Sequence, residues 1–391
     1  LYFSENPIFA HFNNQCKDLL YDSCALLFAD LTPINTQSPY LSMKNFTQRL
    51  LTLSLVLMTA VALQAQDIHF SQFYMSPLNL NPALTGIMNC NHRITANYRN
   101  QWSSVLKSNA YNTYSVSYDQ KLPVGRYDYF GVGGTLWGDK AGASEFATLQ
   151  ARLSGSYAKK MGGYRRKAHY LSLGADLGVS QRSINSANLQ WPSQHDNNGG
   201  FDPNLNGGII DDPNFLFVDL SAGALWFSVF DEYNNFYFGG AFSHLNRANQ
   251  SFDRDVSIPL YSKFTFHAGG EFTVARKFGL VPGVVTFFQG PSFQVNAGNS
   301  FKFLLGNSRR YQQAFQLGAW ARISNRLDDG KLMDALILST RFDYESFSIG
   351  FSYDINTSDL RAASNGNGAF EFSLIYKICG PERRGVYCPN F

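Results

Sequence analysis

The chain is short of charge. Asp, Glu, Lys and Arg together make up 16% of its 391 residues, against about 25% in ordinary soluble domains. The 32 basic and 29 acidic residues nearly cancel, to a net charge of +3. That lacks the basic footprint of a protein whose main partner is nucleic acid. No apolar run reaches the roughly 18 residues that a membrane-crossing helix needs. No CxxC pair, HExxH, P-loop or GxSxG occurs, so no catalytic, metal or cofactor site is expected and the chain is not read as an enzyme. What it has in quantity is aromatic: 34 Phe, 21 Tyr and 5 Trp, or 15%. An apolar, charge-poor composition excludes disorder. Without a spanning helix, it points to an all-β membrane barrel.

The first 65 residues read as leader rather than fold. Met43–Arg49 is a short basic stretch, Leu50–Leu63 is apolar, and Ala60, Ala62 and Ala65 supply small residues. This is the pattern of a secretory signal peptide over 43–65, cleaved after Ala65. A signal peptide works only at the amino end, so 1–42 is expected to be a non-native upstream extension. Cys16 and Cys24 fall in that stretch. Cys90, Cys379 and Cys388 stay in the exported chain, an odd number for an oxidising compartment.

Beyond residue 91 the dominant signal is alternation with a period of two. Leu171, Leu173, Ala175, Leu177 and Val179 alternate with Ser172, Gly174, Asp176 and Gly178. Phe347 to Ile355 alternates with Ser348, Gly350, Ser352 and Asp354. The pattern predicts strands near 92–100, 111–121, 127–137, 145–158, 168–180, 215–227, 234–244, 261–275, 280–289, 292–304, 313–324, 333–344, 346–356 and 368–378. Most match the ~9–11 residues that cross a membrane at a tilt. A soluble sandwich could use the same alternation. Strand length, leader and aromatic content favour a 14-stranded antiparallel transmembrane barrel over 92–379, with Arg152, Asp176 and Glu371 facing a polar lumen. Residues 380–391 would be a periplasmic tail.

An even strand number places both ends of the barrel on one side, the side of short turns, which in outer-membrane barrels is periplasmic. Alternate connections are short (Leu122–Arg126, Lys159–Lys167, Arg276–Gly279, Asn307–Gln312, Glu345) or include the long Gln181–Asn214 and Leu245–Leu260. The short set carries Lys159, Lys160, Arg165, Arg166, Lys167, Arg276, Lys277, Arg309 and Arg310. The long set carries Asp196, Asp202, Asp211, Asp212, Asp253 and Asp255. Solubility of exposed turns and docking of a partner account for this split equally well. Closure brings the first and last strands together, which gathers Cys90, Cys379 and Cys388 at one end of the seam. A disulfide between Cys90 and either Cys379 or Cys388 is expected.

Little in the chain suggests chemistry. His92, His169, His195, His244 and His267 are scattered. Ser243 and His244 are adjacent, and strand neighbours point to opposite faces. Asp196–Asp212 misses the calcium-loop spacing and reads as a solvated loop. The unusual stretch is Asp67–Gly86, which is aromatic, carries two prolines and does not alternate. Phe70, Phe73 and Tyr74 should not hang in water. Residues 66–91 are therefore expected to pack on or in the barrel, as a plug in the lumen or a strap across its mouth.

Asp67–Gly86, followed by Asn97–Trp102, resembles the start of the PorP/SprF family of outer-membrane proteins, which belong to the type IX secretion and gliding machinery of Bacteroidetes. The matching positions are Phe70, Gln72, Pro77, Asn79, Asn81, Pro82, Gly86, Tyr98, Arg99, Gln101 and Trp102. The similarity continues through Gly138–Gly142, with Asp139 and Lys140, through Ser243–Asn246, with His244, and through Cys388–Phe391. The resemblance implies an outer-membrane protein that binds a secreted or cell-surface protein, or periplasmic type IX components, and helps to export or anchor that partner. Its partners would be lipid and protein, without catalysis, cofactor or nucleic acid. The alternative is a passive or substrate-specific channel for a small solute.

Overall fold

The computed structural model describes residues 67–391, apart from 164–166, 196–199, 203, 206, 209, 232–233, 308–311, 326–330, 360, 381–387 and 390–391. The expected leader and upstream extension lie outside the described residues, as do Arg165, Arg166, Asp196, Arg309 and Arg310.

Fourteen strands form a closed antiparallel barrel. They are β1 (His92–Gln101), β2 (Tyr111–Val124), β3 (Asp128–Ala141), β4 (Phe146–Gly162), β5 (Ala168–Ser183), β6 (Asn214–Val229), β7 (Asn235–Ser243), β8 (Lys263–Ala275), β9 (Phe278–Gln289), β10 (Ser292–Asn307), β11 (Gln312–Asn325), β12 (Lys331–Tyr344), β13 (Phe347–Asn356) and β14 (Asn367–Ile378). Each pairs with the next. β1 closes on β14 in register from His92 opposite Ile378 to Gln101 opposite Ala369. Closure leaves no unpaired edge, which is the condition for a sheet to sit in hydrocarbon.

Several strands run past the alternation that announces them. β4 extends to Gly162 rather than to 158, because ladder pairing with β5 continues through Lys160 opposite Tyr170. β7 stops one residue early, at Ser243. His244 takes a left-handed conformation, with φ of 58°, so Ser243 and His244 are not strand neighbours on opposite faces.

The faces of the sheet are sorted in the inverse of a water-soluble protein. In β4, Leu153 points outward and is 73% exposed, whereas Ser154 is 8% exposed and faces in. Leu216, Leu173, Leu177 and Phe351 are likewise exposed on the outer face. Ser172, Asp176, Asp219, Glu371 and Asp354 are buried on the inner one. An apolar outer belt of this extent is stable only in an apolar medium. Among the described residues no helix is long and apolar enough to cross a membrane; the strands do the crossing.

The connections define two ends. At the turn end, among the described residues, lie 125–127, 163, 167, 230–231, 234, 276–277 and 345–346. At the loop end, among the described residues, lie 102–110, 142–145, 184–189, 207–208, 210–213, 244–262, 290–291, 357–359 and 361–366. The loop end is not uniformly long: Gly290 (φ 54°) and Pro291 make a tight turn there. Nor is it purely acidic, since Arg254 approaches Asp212 at 3.7 Å and Lys107 and Arg361 also lie on this side.

At the turn end, Cys90 and Cys379 flank the β1–β14 seam and are joined by a disulfide. Cys388 is a buried thiol. Its backbone N–H donates to Asn89 Oδ1 at 2.5 Å, and its sulfur lies 3.6 Å from Lys121 Nζ and from Tyr129 Oη.

Contact density divides the chain into two units: Ile68–Leu189 with Asn206–Phe391, which holds the barrel, and Leu1–Asp67 with Gln190–Leu205. Within the second, Pro192–Gln194 forms a 3-10 turn. The Gln194 side chain donates to the Leu205 carbonyl at 3.2 Å, and His195 bridges to Phe201.

Candidate functional site

Asn97, Ser156, Ser172 and Glu371 project from four different strands into one space, and that space is occupied by the chain's own residues 68–91. This inner segment is built from short turns. Pro77 and Pro82 each open one, Pro77–Leu80 as a single α-turn and Pro82–Leu84 as a 3-10 turn. Proline suits the first position, where its fixed φ is helical and its missing N–H has no partner to lose. The Asn81 side chain accepts from Ala83 N–H at 2.9 Å and caps the second turn.

The wall holds the segment largely by its backbone. At the turn end, Arg93 and Asp119 form a fully buried pair at 2.8 Å. Arg93 donates to the carbonyls of Leu84 (3.1 Å) and Ile87 (3.3 Å), and Asp119 accepts from Gly86 N–H at 2.7 Å. Higher up, Ser156 donates to the Thr85 carbonyl (2.6 Å), Ser172 to that of Ala83 (2.8 Å) and Asn97 to that of Met75 (3.1 Å). Each of these buried carbonyls and the Gly86 N–H thus meets a partner, as burial requires. Gly86 has φ of 71°, and a Cβ there would come within 2.7 Å of Gly131 Cα. The approach is equally close from the wall, where a Cβ on Gly174 would lie 2.5 Å from the Pro82 carbonyl oxygen. Glycine is required on both sides because the two backbones nearly touch.

Nearest the loop end is a compact charged cluster. Arg99 pairs with Asp354 at 3.1 Å and with Glu371, and Arg322 pairs with Asp354 at 2.8 Å. Ser71 and Gln72 of the inner segment present their N–H groups to the two oxygens of Glu371, Gln72 at 2.9 Å. The Ser71 hydroxyl donates to the Asp354 carboxylate at 2.9 Å and accepts from Arg99 at 2.6 Å and from Arg322. Charges buried this deeply are stable only when each is paired and hydrogen-bonded. Here the segment supplies part of that pairing. Aromatic packing completes the grip: Tyr74 stacks on Trp320 with centroids 5.3 Å apart, and Phe73 meets the same ring edge-on at 5.6 Å.

The positions marked in the sequence fall into three groups. Phe70, Gln72, Pro77, Asn79, Asn81, Pro82, Gly86 and Arg99 all lie in this lumen interface. Asn79 accepts from Arg152 at 2.6 Å and donates to Ser115 at 2.7 Å. Asn81 Nδ2 reaches the carbonyls of Ala224 and Gly240, each at 3.1 Å, and His267 at 3.0 Å. The second group sits at the loop end. Gln101 accepts from Arg99 at 3.2 Å, Trp102 turns the chain with φ of 70°, and Asp139 accepts from Thr113 at 2.6 Å. His244 Nδ1 meets Asp219 at 2.8 Å, and Gln150 donates to the same carboxylate at 3.0 Å, which ties the 244–262 loop to the wall. Lys140 meets Glu145 at 2.8 Å on the surface, and that hydrogen bond and charge hold the Glu145 carboxyl below the usual carboxylate range. Tyr98 alone faces outward, beside Phe370.

Arg93, Asp119 and Arg322 were not singled out in the sequence, and Asp354 and His267 were named there only within an alternation and among scattered histidines. Their signal was present: each is a charged or polar residue on the inward side of an alternating strand. Among the described residues no group of three metal-ligating side chains converges. The arrangement binds peptide backbone.

A family model for the type IX secretion system membrane protein PorP/SprF matches residues 62–376. The chain belongs to the PorP/SprF family. The protein is thus an outer-membrane barrel of a secretion-system membrane family. Among solved structures, the chain is similar in fold to CdiB from Escherichia coli (TM-score 0.42, 7% identity, covering 72% of this chain and 62% of that one). It is also similar to the Ralstonia pickettii toluene transporter TbuX (TM-score 0.41, 10% identity, 78% and 93%) and to a mutant of the monoaromatic hydrocarbon channel TodX (TM-score 0.40, 10% identity, 77% and 93%). The chain spans less than two thirds of CdiB's length. No curated protein matches it in sequence.

Proposed function

We propose that this PorP/SprF protein is exported by its 43–65 leader and works in the outer membrane as a filled barrel. It binds a secreted or cell-surface protein, and helps to export it or anchor it there, in concert with periplasmic type IX components. Gliding is one process that such an anchor would serve. Catalysis plays no part. The observation that carries the reading is the occupied lumen. A conduit needs water along its axis, whereas here buried charged groups at both ends hold the inner segment in place. With the lumen closed, the surfaces available for partners are the two ends. Following the rule that short turns face the periplasm, the basic turns with Arg126 and Arg276, and Lys159 and Lys160 at the turn end of β4, would meet the machinery. The long loops would meet the surface partner. A pull-down from native outer membranes, read by mass spectrometry, tests this: a large surface protein and type IX components should co-purify. Replacing 184–213 by a short linker should release the surface protein into the medium, and unchanged retention would rule out a contact borne by that loop. The rival solute-channel reading expects steady conductance from the intact protein in a planar bilayer, where the filled barrel should pass almost none.

A further inference from the structure

The inner segment does not merely enter the lumen; its contacts climb the wall in order. Residues 84–88 touch Arg93, Asp119 and Lys121 at the turn end. Residues 75–81 touch Asn97, Ser115 and His267 at mid-height. Residues 71–72 touch Arg99 and Glu371 further up. Ile68 then accepts, through its carbonyl, from Lys263 Nζ at 3.3 Å. Lys263 is the first residue of β8, an even-numbered strand, so it stands at the loop end. His69 lies against Phe287, near the loop end of β9, with ring centroids 6.4 Å apart.

Length agrees with this path. A strand of ten residues such as β1 rises about 33 Å, or roughly 25 Å of height once tilted. Residues 68–91 number 24, and at about 1.5–2 Å per residue in helical turns they can climb that height.

We propose that the leading end of the inner segment, Ile68 and His69, belongs to the loop-end surface of the protein. There, beside Lys263 and Phe287, it is displayed to the cell exterior and contacted by the surface protein that the loops hold. The proposal rests on the reading that the loop end faces outward. Both Ile68 and His69 are only half-buried, and the wall grips Ile68 by its backbone carbonyl, so a side-chain substitution there leaves the attachment intact.

The test is cysteine labelling of the full-length protein on intact cells with a membrane-impermeant maleimide, using Ile68→Cys and, as a second probe, His69→Cys. Arg254→Cys marks the loop end and Arg126→Cys the turn end. Ile68→Cys and His69→Cys should label as readily as Arg254→Cys without permeabilisation, and Arg126→Cys only after it. If both probes instead stay protected along with Arg126→Cys while Arg254→Cys labels, the display is wrong and the orientation stands. If Arg126→Cys labels on intact cells and Arg254→Cys does not, the orientation itself is wrong and the outward display falls with it.

Discussion

Leu153 and Ser154 are consecutive in β4, yet one meets the surrounding medium and the other is buried on the inner face. The same contrast runs round the barrel, and the two faces obey different rules. On the outer face a side chain needs only to be apolar, because lipid tails conform to whatever shape they meet. On the inner face many polar groups meet a particular atom: Glu371 the N–H of Gln72, Ser172 the carbonyl of Ala83, Asp119 the N–H of Gly86. A fluid partner tolerates variation, whereas a peptide fixed within hydrogen-bond distance does not.

That contrast can be broken most severely from inside. Glu371→Ala leaves Arg99 buried with half its pairing and frees two backbone N–H groups of the inner segment, and should cost about 3–5 kcal/mol. The check is urea unfolding in detergent micelles, with protease cleavage within 68–76 appearing before the barrel opens. Cys379→Ser removes the covalent tie across the β1–β14 seam and should lower stability by about 2–4 kcal/mol, read as a lower unfolding midpoint under non-reducing conditions. Leu153→Arg puts a charge on the lipid face and should cost about 2–4 kcal/mol if that position lies near the bilayer midplane. Leu153→Ile, in contrast, should cost under about 1 kcal/mol, since it keeps volume and polarity. The smallest effect is expected for Lys140→Ala, which breaks a solvent-exposed pair with Glu145 and should leave the midpoint unchanged, as surface pairs contribute little. If Leu153→Ile proved as harmful as Glu371→Ala, the outer face would be a specific protein interface rather than a lipid surface.

Much of this was legible in the residues. The period-two pattern of Phe347–Ile355 and Leu171–Val179 carries the barrel because strand geometry puts alternate side chains on opposite faces. Glu371, Asp176 and Arg152 read as lumen residues for the same reason. The ends of strands were less legible: pairing with β5 draws β4 on to Gly162, and His244 leaves β7 to reach Asp219. The charged cluster was not legible as a cluster. Ser71, Arg99, Arg322, Asp354 and Glu371 are separated by as much as 300 positions, and no local spacing records which of them meet.

Alternation, low charge and aromatic content determined, on their own, that the strands would expose one greasy face and enclose one polar face. Periodicity is a property of the local backbone and needs no knowledge of distant residues. The tertiary structure alone decided what fills the enclosed space, and in which direction it runs. The inner segment has no period of its own, and its path is set by the wall groups that become neighbours only after β1 closes on β14.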